Sequence, residues 1–208
     1  MSLPETVRLT VAVILAGGLA RRMGGGDKCR LVVGEQTIID RTIARISPQV
    51  TCLAVSANGE TARFADLELP ILPDPLPGYP GPLAGILAGL EWANGLGAGW
   101  LVSVPGDCPF LPTDLVERLH MAREAERSTF ACAGSGGWTH PVIGLWPLSQ
   151  TAELRAGLLA GERKIDAFTG RHKVATAVWE TDLLDPFLNV NSPADLAEAE
   201  RLCASGAG

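Results

Sequence analysis

The chain has 208 residues, of which 47% are hydrophobic and 19% are charged, and its 17 basic and 23 acidic residues give a net charge of −6. This length suits one domain whose core is large enough to fold without disulfides or a structural metal. The acidic balance argues against broad binding to a nucleic-acid backbone, which requires a basic face, but it allows a few local cations and amides to hold one nucleotide.

Short apolar runs alternate with amphipathic segments in the first half of the chain. This pattern is typical of an α/β fold with a mostly parallel sheet. The runs 11–15, 51–56, 69–72 and 100–104 predict four strands, of which 69–72 is weaker and edge-like. Helical spacing predicts two helices, one with Ile39, Ile43 and Ile46 on one face and one with Leu83, Ile86, Leu87 and Leu90.

The second half is less regular. Thr113 is expected to cap a helix that carries Leu115, Val116 and Leu119, and the runs 129–133, 142–146 and 174–179 predict three further strands. Leu154 and Leu158 mark another helix, 164–169 a short one, and Ser192-Pro193 the start of the last. We therefore expect a Rossmann-like fold, in which a mostly parallel, twisted sheet carries helices on both faces.

A glycine-rich segment from Leu15 to Lys28 directly follows the first strand. Glycines let backbone N–H groups approach an anion closely, and Arg21, Arg22 and Lys28 add cationic donors for phosphate oxygens. Open α/β sheets bind ligands at the carboxyl ends of their strands, which is where this segment lies. The segment therefore predicts a phosphate-binding loop, the alternative being an ordinary surface loop between a strand and a helix.

Two common types of glycine loop do not match this segment. A Walker loop requires glycine before its lysine and Ser or Thr after it, whereas Asp27 and Cys29 flank Lys28. The Gly-x-Gly-x-x-Gly spacing of dinucleotide-binding folds is missing, because Gly24 and Gly26 are followed by Cys29. These mismatches disfavour a Rossmann-type oxidoreductase.

The segment resembles the signature of the molybdenum cofactor guanylyltransferases, Leu-Ala-Gly-Gly-x-x-x-Arg-Met-Gly-Gly-x-Asp-Lys, and matches each of its fixed positions. The resemblance continues in order along the chain at 56–58, 73–74, 79–85, 105–109, 140–141 and 189–196. It implies a fold like that of the nucleotide-diphospho-sugar transferases. It also implies a single domain over 1–208, with a nucleotide-binding half at 1–110 and an acceptor-binding half at 111–208.

The resemblance implies a GTP site built from main-chain groups and a few polar side chains. Its members are Leu15, Ala16, Gly17, Gly18, Lys28, Asn58, Asp74 and Asp107. By this resemblance, Leu15, Ala16 and Gly17 are expected to contact the nucleotide through main-chain groups, and Lys28 to neutralise the phosphates. Asn58 and Asp74 are expected to hydrogen-bond the base or ribose. Asn58-Gly59 and the proline-flanked Asp74 also suit simple turns.

Asp107, which follows the strand 100–104, is the expected Mg²⁺ ligand. Mg²⁺ commonly binds one or two carboxylates together with substrate phosphates and water. The alternative is an Asx-turn before Pro109. The expected catalytic groups are Asp107, Lys28 and Arg22, although the sequence does not decide which of Arg21 and Arg22 contacts phosphate. Asp27 suits a cap and a ligand role equally well.

The acceptor side is implied to contain Tyr79, Pro80, Gly81, Asn189 and Asn191. Loop packing is the alternative role for the first three, and hydrogen bonds to the loop backbone are the alternative for the two asparagines. His140 is expected to hydrogen-bond its surroundings rather than to transfer protons. The tryptophans at 138, 146 and 179 are expected in the core rather than as a stacking platform for a pterin ring.

The expected reaction is transfer of GMP from GTP to the terminal phosphate of molybdopterin, with release of pyrophosphate. The expected partners are these two substrates, with transient contacts to cofactor-biosynthesis proteins and recipient enzymes, and with neither nucleic acid nor membrane. The alternatives are a molybdopterin cytidylyltransferase, a sugar-phosphate nucleotidyltransferase, or a non-catalytic protein that delivers the cofactor. Gly17-Gly18 favours the guanine branch, and the presence of Asp107 disfavours the delivery protein.

Cysteine usage and the absence of targeting signals indicate the compartment. The five cysteines are odd in number and contain no Cys-x-x-Cys pair, which fits a reducing compartment. The apolar run 11–16 is too short to span a membrane and lacks a signal-peptide cleavage pattern. A cytoplasmic location is therefore expected.

Overall fold

The computed structural model describes residues 9–17, 27–78 and 81–206. The strands are β1 (Thr10–Leu15), β2 (Val32–Val33), β3 (Gln36–Thr37), β4 (Leu53–Ser56), β5 (Ile71–Leu72), β6 (Trp100–Pro105), β7 (Phe130–Ser135), β8 (Trp138–Pro147) and β9 (Val174–Trp179). The α-helices are α1 (Ile38–Ile46), α2 (Pro82–Gly95), α3 (Leu115–Glu126), α4 (Thr151–Leu159), α5 (Ile165–Thr169) and α6 (Pro193–Ala204). Short 3₁₀ helices span Lys28–Arg30, Ser47–Gln49, Thr61–Leu67 and Leu148–Gln150.

Seven of these strands form one sheet in the order β5-β4-β1-β6-β8-β7-β9. Strands β5, β4, β1 and β6 are parallel, and β9 is parallel to β7. Only β8 runs in reverse, because it is antiparallel to both β6 and β7. The predicted α/β fold with a mostly parallel sheet is therefore confirmed, and β2 and β3 form a separate small hairpin.

The central strand β1 is buried on both faces, as its unbroken apolar sequence predicts. Val11 and Val13 belong to the hydrophobic cluster that α2, α4 and α5 cover. Ala12 and Ile14 alternate with them and belong to the opposite cluster, which α1 and α3 cover. The expected helices on both faces are therefore present.

The carboxyl ends of the parallel strands are joined by hydrogen bonds that continue past the strands themselves. The Ala16 N–H donates to the Ser56 carbonyl at 2.9 Å, and the Ala57 N–H donates to the Leu72 carbonyl at 3.0 Å. On the other side of β1, the Gly106 N–H donates to the Leu15 carbonyl at 3.0 Å. The loops that leave β1, β4, β5 and β6 consequently meet at one edge of the sheet.

Two local predictions were wrong. Helix α3 begins at Leu115 with Asp114 rather than Thr113 as its N-cap residue, and the Asp114 side chain makes no capping bond. The Val116 N–H instead donates to the Gln49 side chain at 2.9 Å, so a distant residue provides the cap. Trp138 is 77% exposed, whereas Trp146 and Trp179 are buried as expected.

Other local predictions are confirmed. Ser192 caps α6 in a reciprocal capping box with Asp195, and Pro193 occupies the first turn. The expected edge strand is β5, although it is shorter than predicted. Strand β8 starts at Trp138 and therefore includes His140, which the predicted run 142–146 left out. No helix within the described ranges has the length and apolar character needed to cross a membrane.

Candidate active site

A cavity of about 430 Å³ opens where the loops after β1, β4, β5 and β6 meet. This main cleft is lined by Leu15, Gly17, Ser56, Ala57, Asn58, Asp74, Gly81, Pro82, Gly85, Pro105, Asp107, Val142 and Asn189. Open α/β sheets bind ligands in this position, because helices cover both faces and leave the strand ends accessible. Most of the predicted site residues that the structure describes therefore share one cleft.

Asp107 lines this cleft, and Lys28 approaches its carboxylate. Lys28 Nζ lies 3.9 Å from Asp107 Oδ2 and donates a hydrogen bond of 2.5 Å to Asn191 Oδ1. The segment that carries Asn191 is itself attached to the Asp107 loop, since the Val190 N–H donates to the Asp107 carbonyl at 3.0 Å. The structure thus brings a cation, a carboxylate and an amide from three distant chain segments together.

Asp107 is an unusually buried carboxylate, with 17% of its side chain exposed. Burial raises its pKa above the ordinary aspartate value, and the nearby Lys28 ammonium partly offsets that rise. The neighbouring Cys29 thiol is also buried, and burial together with Asp27 raises its pKa to about 12. Cys29 therefore stays protonated and serves packing rather than nucleophilic chemistry.

Asn58 and Asp74 bind each other across the far end of the cleft. Asn58 Nδ2 donates to Asp74 Oδ2 at 2.6 Å, and the Asp74 backbone N–H donates to Asn58 Oδ1 at 2.9 Å. Burial raises the pKa of the Asp74 carboxyl, and the hydrogen bond from Asn58 opposes this rise. The reciprocal pair holds the loops after β4 and β5 in a single arrangement.

Asp27 has a contact that the sequence did not indicate. Its Oδ2 lies 3.3 Å from Nε of Arg63, and it makes no side-chain capping bond to the 3₁₀ helix that follows. Arg63 also donates to the Asn58 carbonyl at 2.7 Å. Arg63 therefore links the end of the glycine-rich segment to the loop that presents Asn58, and no motif in the sequence marked it.

Helix α2 begins at the wall of the cleft. Gly81 precedes it with φ of +127°, a conformation that favours glycine, and Pro82 takes the first helical position. A Cβ at Gly85 would lie 2.7 Å from both Leu15 Cδ2 and Ser56 Oγ. The absence of a side chain there allows the helix to pack directly on the ends of β1 and β4.

Some of the predicted site residues lie outside the described ranges, and the others take different positions around the main cleft. Gly18, Arg22, Tyr79 and Pro80 lie outside the described residues, as does Arg21. Leu15, Gly17 and Gly81 line the main cleft, whereas Ala16 is buried beside it and its N–H is bonded to the Ser56 carbonyl. Asn189 lines the cleft and Asn191 contacts Lys28, so the two asparagines take different positions.

A second cavity of about 220 Å³ adjoins the main cleft. Its lining is Pro105, Cys108, Thr139, His140, Pro141, Val142, Ile143, Phe187 and Asn189. Three of these residues, Pro105, Val142 and Asn189, also line the main cleft, so the two spaces share a wall. In the sequence, the segments 105–109, 140–141 and 189–196 of the family resemblance pointed to this region.

The residues at the main cleft fit a divalent ion that is shared with substrate. The described part of the chain contains no group of three or more His, Cys, Asp or Glu side chains that could enclose a metal. Asp107 nevertheless offers a buried carboxylate in the cleft, with the Lys28 ammonium 3.9 Å from it. One carboxylate suffices for Mg²⁺ when phosphates and water supply the other ligands.

Comparison with known proteins gives the family. The model of the MobA-like NTP transferase domain matches residues 12–176. The molybdenum cofactor guanylyltransferase of Rhodopseudomonas palustris strain HaA2 is 53% identical over 194 residues, which cover 92% of this chain and 91% of that protein.

Two solved structures support the same assignment at the level of fold. The molybdopterin-guanine dinucleotide biosynthesis protein A of Archaeoglobus fulgidus superposes with a TM-score of 0.72 at 25% identity, covering 94% of this chain and 99% of that one. A CMP:2-keto-3-deoxy-manno-octonic acid synthetase complexed with CTP has a TM-score of 0.72 at 13% identity, covering 95% of this chain and 99% of that one, and so shares the fold. The chain belongs to the molybdenum cofactor guanylyltransferase family, within the MobA-like NTP transferases.

Proposed function

We propose that this protein transfers GMP from GTP to the terminal phosphate of molybdopterin, in a Mg²⁺-dependent reaction that forms molybdopterin guanine dinucleotide. The observation that carries the proposal is the 3.9 Å approach of Lys28 to Asp107, which lines the main cleft at the strand ends where a nucleotide binds in this fold. Family membership supports the identity of both substrates, since the 53% identical relative is named a molybdenum cofactor guanylyltransferase.

The nucleotide takes the part of the cleft between β1 and β5. The exposed Gly17 backbone and the predicted glycine-rich segment bind phosphates, and the Asn58–Asp74 pair binds the base or ribose. The pair is already joined by two hydrogen bonds, so it requires little reordering when guanosine binds. Its remaining oxygen lone pairs can accept from the N–H groups of guanine, and a base without those donors would leave them unpaired at about 1–3 kcal/mol each.

The chemical step is an in-line attack by an oxygen of the acceptor's terminal phosphate on the α-phosphorus of GTP. The new bond joins that oxygen to the α-phosphorus, the bond from the α-phosphorus to the bridging oxygen breaks, and pyrophosphate leaves with the electron pair. The attacking phosphate is already ionised near neutral pH, so no general base is required. Positioning and charge neutralisation then account for most of the acceleration.

Asp107 and Lys28 supply the electrostatic part of this mechanism. Mg²⁺, when held by the Asp107 carboxylate, supplies positive charge that neutralises the phosphates during transfer. Lys28 is held by Asn191 at 2.5 Å, so its ammonium group is directed before substrate binds. Arg22, which the sequence places in the same segment, provides a second cation for the phosphates.

The acceptor enters from the side of the cleft formed by the second half of the chain. Asn189 lines both cavities there, and Asn191 lies beside Lys28. Gly81 lines the main cleft, and Tyr79 and Pro80 are proposed acceptor-side residues on the basis of the sequence alone. The nucleotide-binding half at 1–110 and the acceptor-binding half at 111–208 thus meet at Asp107, inside a single functional unit.

The test incubates the protein with Mg-GTP and molybdopterin and follows a GMP-containing product by mass spectrometry. We expect product with GTP, little with CTP or ATP, and none when EDTA removes the metal. A preference for CTP would instead assign the cytidylyltransferase activity. Full transfer by an Asp107→Ala variant would contradict the role of the carboxylate and favour a delivery protein.

The cellular setting follows from the same proposal. The five free cysteines are compatible with a reducing compartment such as the cytoplasm. The net charge of −6 does not favour a nucleic-acid partner. The product must pass to enzymes that use the dinucleotide cofactor, so transient contacts with such enzymes and with cofactor-biosynthesis proteins are expected.

A further inference from the structure

His140 lines the second cavity and belongs to a hydrogen-bonded group that the proposed transfer does not use. Ser135 Oγ lies 2.7 Å from His140 Nε2 and 2.9 Å from Asp185 Oδ1. The Phe187 N–H donates to the same Asp185 oxygen at 3.0 Å. The His140 ring also packs on the Phe187 ring, with 5.0 Å between their centroids.

These three side chains are the residue types of a nucleophilic triad, but their hydrogen bonds run the wrong way for one. A serine hydroxyl carries one proton, and here it is donated to the Asp185 carboxylate, which can only accept. Ser135 therefore cannot give its proton to His140, as an activated serine must. The group is not a site of acyl transfer.

The same arrangement determines which nitrogen of His140 carries the proton. Because the Ser135 proton is directed to Asp185, the Ser135 oxygen must accept from His140, and Nε2 is the donor. Burial lowers the pKa of His140, and the Asp185 charge only partly opposes this, so the ring is neutral at neutral pH. The other nitrogen, Nδ1, is then an unprotonated acceptor, and within the described ranges it has no hydrogen-bond partner.

A second acceptor lines the same cavity. Asn189 Oδ1 is fully buried and has no hydrogen-bond partner in the described part of the chain. Buried oxygen atoms without a partner are rare, because each costs about 1–3 kcal/mol relative to a bonded one. His140 and Asn189 thus bring two acceptors without partners to the lining of one apolar-walled space, which suits a flat ring with N–H donors on its edge.

An irregularity in the sheet forms this cavity. Between β7 and β8, Cys132 pairs with Gly144 whereas the next residue, Ala133, pairs with His140, so residues 141–143 have no partner on β7. Pro141, Val142 and Ile143 form this bulge and line the cavity. Bulges of this kind re-aim side chains and are common beside active sites.

We propose that His140 is a specificity-determining residue for the acceptor: Nδ1 of its Nε2–H tautomer, held by Ser135 and Asp185, accepts a hydrogen bond from an N–H group of the pterin ring in the second cavity. The inference rests on the proposed function, since a pterin is the ring system of molybdopterin. The shared wall at Pro105, Val142 and Asn189 places a ring in this cavity next to Asp107, where its phosphate reacts.

The first experiment measures binding of free pterin, followed by its fluorescence, and of GTP to the same preparations. His140→Phe keeps a ring against Phe187 but removes both nitrogens, and we expect about ten-fold weaker pterin binding with unchanged GTP affinity. His172→Phe is the matched control, because His172 is bonded to Glu153 and lines neither cavity. Ser135→Ala removes the hydrogen bond that fixes the tautomer of His140. It should weaken pterin binding by about two- to four-fold.

The second experiment reads the tautomer directly, from the ¹⁵N spectrum of histidine-labelled protein. We expect a neutral His140 with its proton on Nε2, and an Nδ1 signal that moves when pterin is added. A proton on Nδ1, unchanged pterin affinity in His140→Phe, or an equal loss of GTP affinity would each overturn the inference.

The two proposals fail in different ways. If transfer to molybdopterin is absent but pterin binding still depends on His140, the proposed function is wrong and the assignment of the cavity stands. If transfer occurs and His140→Phe leaves the KM for molybdopterin unchanged, only the inference about His140 is wrong.

Discussion

Asp107 combines a catalytic position with an unfavourable environment for a charge. Burial raises its pKa, which means that folding disfavours its ionised form, and Lys28 compensates only in part. Because the pKa is raised in the folded state, this carboxylate lowers stability as pH rises from the unfolded-state pKa to the folded-state pKa, and the loss stays constant at higher pH. Function, rather than folding, explains why a carboxylate occupies this position.

Replacement of Asp107 by asparagine should therefore separate activity from stability. We expect Asp107→Asn to reduce kcat by at least about a hundred-fold, because an amide does not hold the metal that neutralises the phosphates. Its free energy of unfolding at pH 7, measured with urea, should equal or exceed that of the wild type. Asp182→Asn, at an exposed position, is the control and should change neither quantity. A marked loss of stability in Asp107→Asn would contradict this account.

The Asn58–Asp74 pair predicts coupling between two residues. Asn58→Ala and Asp74→Ala should each raise the KM for GTP by about ten-fold, because each removes a polar contact and leaves its partner unpaired. The double variant should show much less than the product of the two effects, since either change already disrupts the shared hydrogen bonds. Steady-state kinetics with GTP and ATP as donors provides the measurement. Strictly multiplicative effects would show that the two residues act independently.

At the scale of elements, α2 approaches the sheet more closely than a helix with side chains on that face could. Cβ atoms at Gly85 and Gly89 would lie 2.7 Å from Leu15 Cδ2 and 2.8 Å from Val13 Cγ1. The glycines therefore set the distance between the helix and β1, and with it the width of the cleft. Each glycine costs about 1 kcal/mol of helix stability relative to alanine, and the close packing on the sheet offsets this cost.

Alanine substitutions in α2 test this interpretation. Gly89→Ala should lower the free energy of unfolding by about 1–3 kcal/mol, because overpacking outweighs the gain in helix propensity. Gly95→Ala, in the last position of the same helix and with nothing within 4 Å of its Cβ, should be neutral or slightly stabilising. Urea unfolding of the two variants gives the comparison. Stabilisation by Gly89→Ala would show that the helix can move away from the sheet without loss.

At the scale of the whole molecule, one buried histidine makes the free energy of unfolding depend on pH. His120 on α3 is 3% exposed, its Nε2 lies 2.9 Å from Thr10 Oγ1 on β1, and burial followed by the Arg123 charge lowers its pKa to about 4. The unfolded chain binds a proton at this residue below about pH 6.5, whereas the folded protein does so only near pH 4.

Stability should consequently fall as pH decreases from 6.5 to 4, and His120 should contribute no further loss below that range. The contribution is at most about 3.5 kcal/mol, from about 1.4 kcal/mol for each unit of difference between a pKa of 6.5 and one of about 4. His120→Gln retains hydrogen-bonding capacity and should flatten the pH dependence of the unfolding free energy between pH 7 and 4. The pKa of His140 is also lowered, but His140 is present in both proteins. The difference in pH dependence between wild type and variant therefore reports the contribution of His120. An identical pH dependence in the variant would rule out this role.

Sequence patterns predicted the elements well where the physical cause is local. The buried run of β1, the capping box at Ser192 and the helical face around Leu87 each depend on neighbours within a few residues. The proposed roles of the glycine-rich segment and of the carboxylate after β6 rest on a continuous motif and on a position at a strand end, and both stay predictions. Thr113 was predicted wrongly as a cap because Gln49, which is remote in sequence, satisfies the helix instead.

The amino-acid sequence by itself determined the α/β class, the family and most of the candidate cleft. Strand burial, helix periodicity and the glycine motif all depend on residues that are close together in the sequence. Only the tertiary structure decided that β8 runs in reverse, that residues 141–143 bulge out, and that Asn191 holds Lys28 across 163 positions. It also brought together Ser135, His140 and Asp185, whose hydrogen bonds are those on which the inferred tautomer of His140 rests. Contacts between residues far apart in sequence depend on how whole elements pack, and no local pattern encodes them.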